Sequence, residues 1–109
     1  AAGRTPDVVV YNASSRVRGP LVDLAPEDVK RAIEISAFGG FLVAQQAAKR
    51  MLPNKHGAIL FTGASASVKG YPQSAPFAMG KFALRGLAQS SLYFSGVRLK
   101  ISSAVTLTL

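Results

Sequence analysis

The sequence predicts an α/β fold built on a parallel sheet, with its elements in the order strand, helix, strand, helix, strand. Three observations lead to this prediction. Short apolar runs end in small polar residues, long helix-forming stretches separate these runs, and turns that contain Gly or Pro mark the changes of element. Such alternation is typical of parallel strands joined by right-handed crossovers. At 109 residues, the chain is one domain or part of one.

The first strand is predicted within DVVVYNA, Asp7 to Ala13, because a continuous apolar run is typical of a strand covered on both faces. A long helix is predicted from Ala25 to Leu52. Pro26 suits its first turn, acidic residues follow at the positive end of its dipole, and basic residues lie at the negative end. The turn PNKHG, residues 53–57, ends this helix.

The second strand is predicted from Ala58 to Phe61, the second helix from about Ala75 to Phe94, and the third strand from Val97 to Ala104. Two successive right-handed crossovers in one direction place both helices on the same face of the sheet. The other face would expose apolar side chains, each worth about 1.5–3 kcal/mol when buried. We therefore predict that residues 1–109 form a single partial domain, half of a doubly wound sheet, which docks against something through its open face.

Composition and charge limit the classes of partner. The net charge is +8, and all five acidic residues lie before residue 35. The cations are scattered singly, without the interleaved aromatics of single-strand binders, so a nucleic-acid partner is not favoured. No apolar run reaches the roughly 18 residues that span a bilayer, and the N-terminal AAGRTPD resembles neither a signal nor a transit peptide. With no cysteine and one histidine, the chain is predicted to be cytoplasmic, without disulfides or a metal site.

One stretch, Gly57 to Leu87, carries most of the candidate chemistry. Its strand ends in a turn of small residues, Thr62 to Ser67, and its helix places Phe77 and Lys81 one turn apart. Open α/β sheets bind ligands beyond the carboxyl ends of their strands. We therefore expect the chemistry to depend on what this turn and this helix present there.

Four segments in order resemble the short-chain dehydrogenase/reductase family: YNAS at 11–14, ISAFGGFLVAQQAA at 35–48, GAILFTGASA at 57–66 and FAMGKFALRGLAQS at 77–90. The resemblance covers about residues 7–104 and implies the fourth to sixth strands of a Rossmann-like domain. It also implies an ancestral activity of hydride transfer with NAD or NADP. After Ser90 the match is poor.

The resemblance places the family's catalytic asparagine, serine, tyrosine and lysine on Ser36, Ala64, Phe77 and Lys81, so only the lysine is kept. Phe77 has no hydroxyl with which to donate a proton, and Ala64 cannot hydrogen-bond a substrate oxygen. Because losing a general acid typically costs a factor of about 10²–10⁴ in rate, we expect weak or no turnover from this chain.

The cofactor side of the site is implied by the same resemblance. The family's turn near the cofactor falls on Asn12 and Ala13, and Lys81 could reach ribose hydroxyls. The family's glycine-rich turn precedes the matched region, so this chain alone need not bind NAD or NADP. The alternative that Lys81 is a solvated helix cation stays open.

A serine-type hydrolase is an alternative, with Ser65 as its nucleophile. The run from Gly63 to Ser67 nearly matches the G-x-S-x-G elbow that follows a strand. The required base would have to be a lysine, Lys81 or Lys69. His56 precedes the same strand and, at roughly 3.3 Å per residue, would lie on the order of 20 Å away. The other interpretation is that small residues keep this turn tight.

A third hypothesis is a non-catalytic interaction module. A stripe of large apolar residues on the two helices is interpreted as core or dimer packing, or else as the lining of a ligand site, and the resemblance implies a homodimer formed through these helices. Gly39 and Gly40 would then permit close contact between helices. The stripe consists of Phe38, Phe41, Phe82, Leu84 and Leu87.

Overall fold

The computed structural model describes residues 5–91, 93–94 and 96–102, with side chains for 5–91 and 96–100. Four strands form one sheet in the spatial order β1, β2, β4, β3. β1, β2 and β4 run parallel, which confirms the predicted α/β fold and its parallel sheet. The strands are β1 (Val8–Tyr11), β2 (Gly57–Thr62), β3 (Tyr93–Phe94) and β4 (Val97–Ser102).

The prediction for the end of the second helix is wrong. This helix, α3, spans Ala75–Ser90, and Tyr93–Phe94 forms a short strand antiparallel to β4. Tyr and Phe favour a pleated, half-buried surface over an exposed helix end. Gly96 takes a φ of +85° in the turn to β4, a conformation that glycine adopts without strain. The predicted strand residues 103–104 lie outside the described residues.

The predicted helix over residues 25–52 is two α-helices joined by a wider turn. α1 spans Pro26–Ile33 and α2 spans Gly39–Met51, with a π-helical turn at Glu34–Phe38 between them. In this turn the Gly39 amide donates to the Glu34 carbonyl, five residues back. Such turns often occur at functional sites. No helix within the described part of the chain is long and apolar enough to cross a membrane.

Both long helices pack on one face of the sheet, as the crossover rule predicts. Alternate residues of β2 and β4 point towards them, because successive side chains of a strand lie on opposite faces. The core lies between this face and helices α2 and α3. Its buried members are Ala44, Ala47, Met51, Ile59, Phe61, Leu84, Ala88, Val97 and Leu99.

Within the described residues, no helix packs on the opposite face of the sheet, and this face differs from the expectation in one respect. Val8 and Val10 are each 48% exposed, as expected for an open face. On β4, however, the register places Arg98 and Lys100 on this face, beside Ala58 and Leu60 of β2. Since Val97 and Leu99 occupy the helix side, the described side chains that β4 contributes to the open face are the basic ones of Arg98 and Lys100.

Gly39 and Gly40 allow close packing within the chain. A Cβ at Gly39 would lie 2.4 Å from the Tyr11 hydroxyl, and a Cβ at Gly40 would lie 2.6 Å from a Leu84 methyl group. Both separations are too short for real atoms. These glycines therefore make their close contacts with side chains of the same chain, and their expected role in contact between two copies stays a prediction.

Candidate functional site

The carboxyl ends of β1 and β2 form one edge of the sheet. Tyr11 pairs with Phe61 in the register, so Asn12 and Thr62 leave their strands side by side. Asn12 and Ala13, the predicted cofactor-side residues, are both exposed at this edge. The sheet thus places them beside the turn that follows β2, where parallel sheets bind ligands.

Ser36 lies buried in the π-helical turn, facing α3. Its Oγ accepts a hydrogen bond from the Ser15 amide at 3.1 Å, which anchors the segment that follows β1. A Cβ on Gly80 would lie 2.6 Å from the Ser36 Cβ, so only glycine lets α3 approach this closely. Ser36 therefore holds a loop and a helix together.

The turn after β2 contains the two small residues singled out in the sequence. The Ala64 amide donates to the Ser67 hydroxyl at 3.1 Å, which closes the turn. Ser65 begins a single 3₁₀ turn over residues 65–67 and is exposed. These contacts agree with the interpretation that small residues keep the turn tight.

Lys81 is buried, with 3% of its surface exposed, so it is not a solvated helix cation. Its Nζ donates to the Thr62 carbonyl at 2.8 Å, at the carboxyl end of β2. Burial lowers the pKa of Lys81 below its usual value, and the nearby Arg16 guanidinium lowers this pKa further. The lysine is thus fixed at the edge of the sheet where Asn12 lies.

Phe77 lies in contact with two cations. The Arg16 Cζ lies 4.2 Å from the centroid of its ring, and the Lys81 Nζ lies 5.6 Å from the same point. The ring is 8% exposed. The helix therefore brings Phe77 and Lys81 together as their spacing predicts, but the place beside the ammonium holds a phenyl ring without a hydroxyl.

Arg16 was not identified from the sequence. It lies four residues beyond Asn12, in the segment that follows the carboxyl end of β1. Segments at that position commonly carry ligand contacts, and this was the available signal. Its stacking on Phe77, more than sixty residues away in the chain, has no signature in the sequence.

The residues proposed for a serine hydrolase are not brought together around Ser65. His56 lies immediately before β2 and Ser65 lies beyond its far end, so the strand separates them as expected. The Lys69 Nζ lies 5.3 Å from the centre of the Tyr71 ring. Lys81 is hydrogen-bonded to Thr62. Ser65 therefore has no base assigned by the contacts of the described residues.

Comparison with known proteins gives matches along most of the chain. The sequence model of the short chain dehydrogenase family matches residues 4–96. Short chain aldehyde dehydrogenase 1 from Euphorbia lathyris is 38% identical over 64 residues, covering 59% of this chain and 22% of that protein. L-2,3-butanediol dehydrogenase from Corynebacterium glutamicum is 30% identical over 86 residues, covering 78% of this chain and 33% of that protein.

Solved structures of related proteins also match most of the chain. A tyrosine-to-phenylalanine variant of ElxO with NADPH bound has a TM-score of 0.86 and 26% identity, covering 92% of this chain and 42% of that one. The chain spans about a third of the length of the butanediol dehydrogenase and about two fifths of ElxO. The match to the family model covers β1, β2 and all three helices. The chain belongs to the short-chain dehydrogenase/reductase family.

Proposed function

We propose that this chain carries the substrate side of an NAD(P)-dependent oxidoreductase site from which the proton donor has been lost. In this proposal Lys81, Asn12 and Ala13 face the cofactor, NAD or NADP. Carbonyl reduction by the chain is then weak or absent. The observation that carries the proposal is the phenyl ring of Phe77 beside the buried Lys81 ammonium.

The chemistry of this arrangement follows from its two hydroxyl-free positions. Reduction of a carbonyl needs a proton donor next to the atom that receives the hydride, and a hydroxyl beside an ammonium serves because the cation lowers its pKa. Phe77 offers no such group, and Ala64 offers no hydrogen bond to a substrate oxygen. The Ser36 Oγ already accepts a hydrogen bond from the Ser15 amide. What remains is the lysine, held in place by the Thr62 carbonyl.

Two observations support a retained cofactor position. Lys81 is buried and fixed at the edge where Asn12 leaves β1, which is where a ribose could accept its hydrogen bonds. The ElxO variant, in which a tyrosine is replaced by phenylalanine, was solved with NADPH bound. In that protein the loss of one tyrosine hydroxyl is compatible with NADPH binding. When bound, the nicotinamide would supply or accept the hydride.

NADPH binding tests the proposal. Lys81→Met is expected to raise the Kd for NADPH about 10-fold or more, because a hydrogen bond from a charged group is worth about 1.5–3 kcal/mol. The measurement is fluorescence titration of NADPH, with circular dichroism to establish that the variant is folded. Lys49→Met, an exposed lysine in the last turn of α2, serves as the matched control. Equal NADPH affinity in both variants would contradict the assigned role of Lys81.

We also propose that residues 1–109 correspond to the second half of a dinucleotide-binding domain. The supporting observation is the extent of the match, since the chain covers 33% of the butanediol dehydrogenase and 42% of ElxO. The uncovered sheet face with Val8 and Val10 agrees with a sheet that is sandwiched on both sides. The cytoplasmic location stays a prediction from the sequence.

We also propose a homodimer formed through the two long helices, α2 and α3. The supporting observation is that large apolar side chains are exposed on their outer faces. Phe38 and Phe41 are exposed and stacked with their ring centroids 6.1 Å apart, and Phe82 of α3 is 43% exposed. Leu84, in contrast, lies in the core, and Leu87 packs against it. The predicted stripe is therefore divided between the core and the surface.

Light scattering at micromolar concentration tests the dimer. Phe82→Asp is expected to convert a dimer to a monomer, because a buried, unpaired carboxylate is costly at an interface. Val22→Asp is the control, since Val22 is exposed in the short turn before α1. A wild-type chain that is monomeric, or a Phe82→Asp variant that stays dimeric, would contradict this proposal.

A further inference from the structure

Arg16 is held over Phe77 by a segment that is attached at both ends. At one end the Ser15 amide donates to Ser36, which is buried. At the other end the Gly19 amide donates to the Gln73 carbonyl at 3.1 Å, in the loop that leads into α3. The position of the guanidinium is therefore set by the fold as well as by its own contact with the ring.

None of the side-chain hydrogen bonds within the described residues involves the Arg16 guanidinium. Its contact with the Phe77 ring is a cation–π contact, which leaves N–H donors in the plane of the group available. Arg16 is exposed, so these donors are open to solvent. A planar fork of donors of this kind matches a carboxylate or a phosphate, which it can bind in bidentate fashion.

The charges around Phe77 are unbalanced. The Lys81 ammonium and the Arg16 guanidinium contact the same ring. Burial and Arg16 lower the pKa of Lys81, and among the described residues no carboxylate raises this pKa. An anion placed between these groups would relieve their repulsion, and fixed positive charge raises the local concentration of anions.

We propose that Arg16 binds an anionic group, a carboxylate or a phosphate, on the small molecule that this site accepts. The inference rests on the proposed function, because it takes the space beside Phe77 and Lys81 as the substrate side of the site. Arg16 thereby determines the substrate class: small carbonyl or hydroxyl compounds that carry a negative charge near the reacting carbon.

Calorimetric titration of three small probes, without nucleotide, tests this proposal. The probes are malonate, inorganic phosphate and the neutral malonamide. Arg16→Gln is expected to weaken binding of the preferred anion about 10-fold or more, because it removes a charge-assisted bidentate contact. Arg16→Lys is expected to lose less, since it keeps the charge without the planar fork. Arg31→Gln, an exposed arginine in α1, is the control and should leave binding unchanged.

The outcomes separate the possible ligands and the two proposals. Tighter binding of malonate indicates a carboxylate substrate, and tighter binding of phosphate indicates a phosphate ester. The proposal is overturned if neither anion binds the wild-type chain, if malonamide binds as tightly as malonate, or if Arg16→Gln and Arg31→Gln behave alike. Because no nucleotide is present, these results do not depend on NADPH binding, which Lys81→Met tests separately.

Discussion

Replacing Phe77 with tyrosine is expected to raise the rate of NADPH-dependent carbonyl reduction by about 10²- to 10⁴-fold, the usual contribution of a general acid. The new hydroxyl would lie on a ring that already contacts the Lys81 ammonium and the Arg16 guanidinium. Both cations favour its ionised form and so lower its pKa towards neutrality. The rate is measured at saturating NADPH with small ketones and aldehydes, charged and neutral, followed by absorbance of the reduced nicotinamide.

Phe82→Tyr provides the matched control for this gain. Phe82 lies on the same helix, but its side chain is 43% exposed whereas that of Lys81 is buried, so a hydroxyl at Phe82 should add no activity. Ala64→Ser combined with Phe77→Tyr is expected to exceed the single variant, because it restores a hydrogen-bond donor to the substrate oxygen. If Phe77→Tyr binds NADPH but is no faster than Phe82→Tyr, the lost proton donor is not what limits turnover.

Gly96→Ala is expected to reduce the free energy of unfolding by at least about 2 kcal/mol. Its φ of +85° alone costs an L-residue about 1–2 kcal/mol. The added Cβ would also lie 1.8 Å from the Lys55 carbonyl oxygen, which is backbone and cannot rotate away. The turn would have to open, displacing the start of β4. The measurement is urea denaturation followed by circular dichroism.

Gly86→Ala makes the same chemical change with the opposite expected sign. Gly86 is exposed within α3, and its added Cβ would meet nothing within 4 Å. In a helix interior, alanine is more favourable than glycine by about 1 kcal/mol, so this variant should be more stable than the wild type. Equal changes in the free energy of unfolding of the two variants would show that the backbone conformation and contacts of Gly96 do not affect stability.

The sheet and the helix layer could be predicted because their signals are local. Apolar runs identified β1 and β2, and the helix-forming stretches between these runs identified the helix layer. The spacing of Phe77 and Lys81 was likewise enough to bring them together, since residues four apart on a helix are neighbours.

The features that were missed depend on contacts between distant segments. The π-helical turn lies where Ser36 contacts Gly80 of α3, more than forty residues away in the chain. Arg16 reaches Phe77 only after the sheet has formed. Tyr93–Phe94 is the exception, because it pairs with Val97 and Arg98 only a few residues further along the chain, and Tyr and Phe themselves favour strands.

The wide turn at Glu34–Phe38 also restricts how this chain can change in length. Each helical residue advances the direction of its side chain by about 100°, so the additional residue in this turn sets the angular phase of α2 relative to α1. That phase lets Ser36 face α3 while Ala44 and Met51 face the sheet. Deleting one residue here would rotate one of these sets out of contact. Substitutions at the exposed positions Glu34 and Ile35 can therefore be accommodated where deletions cannot.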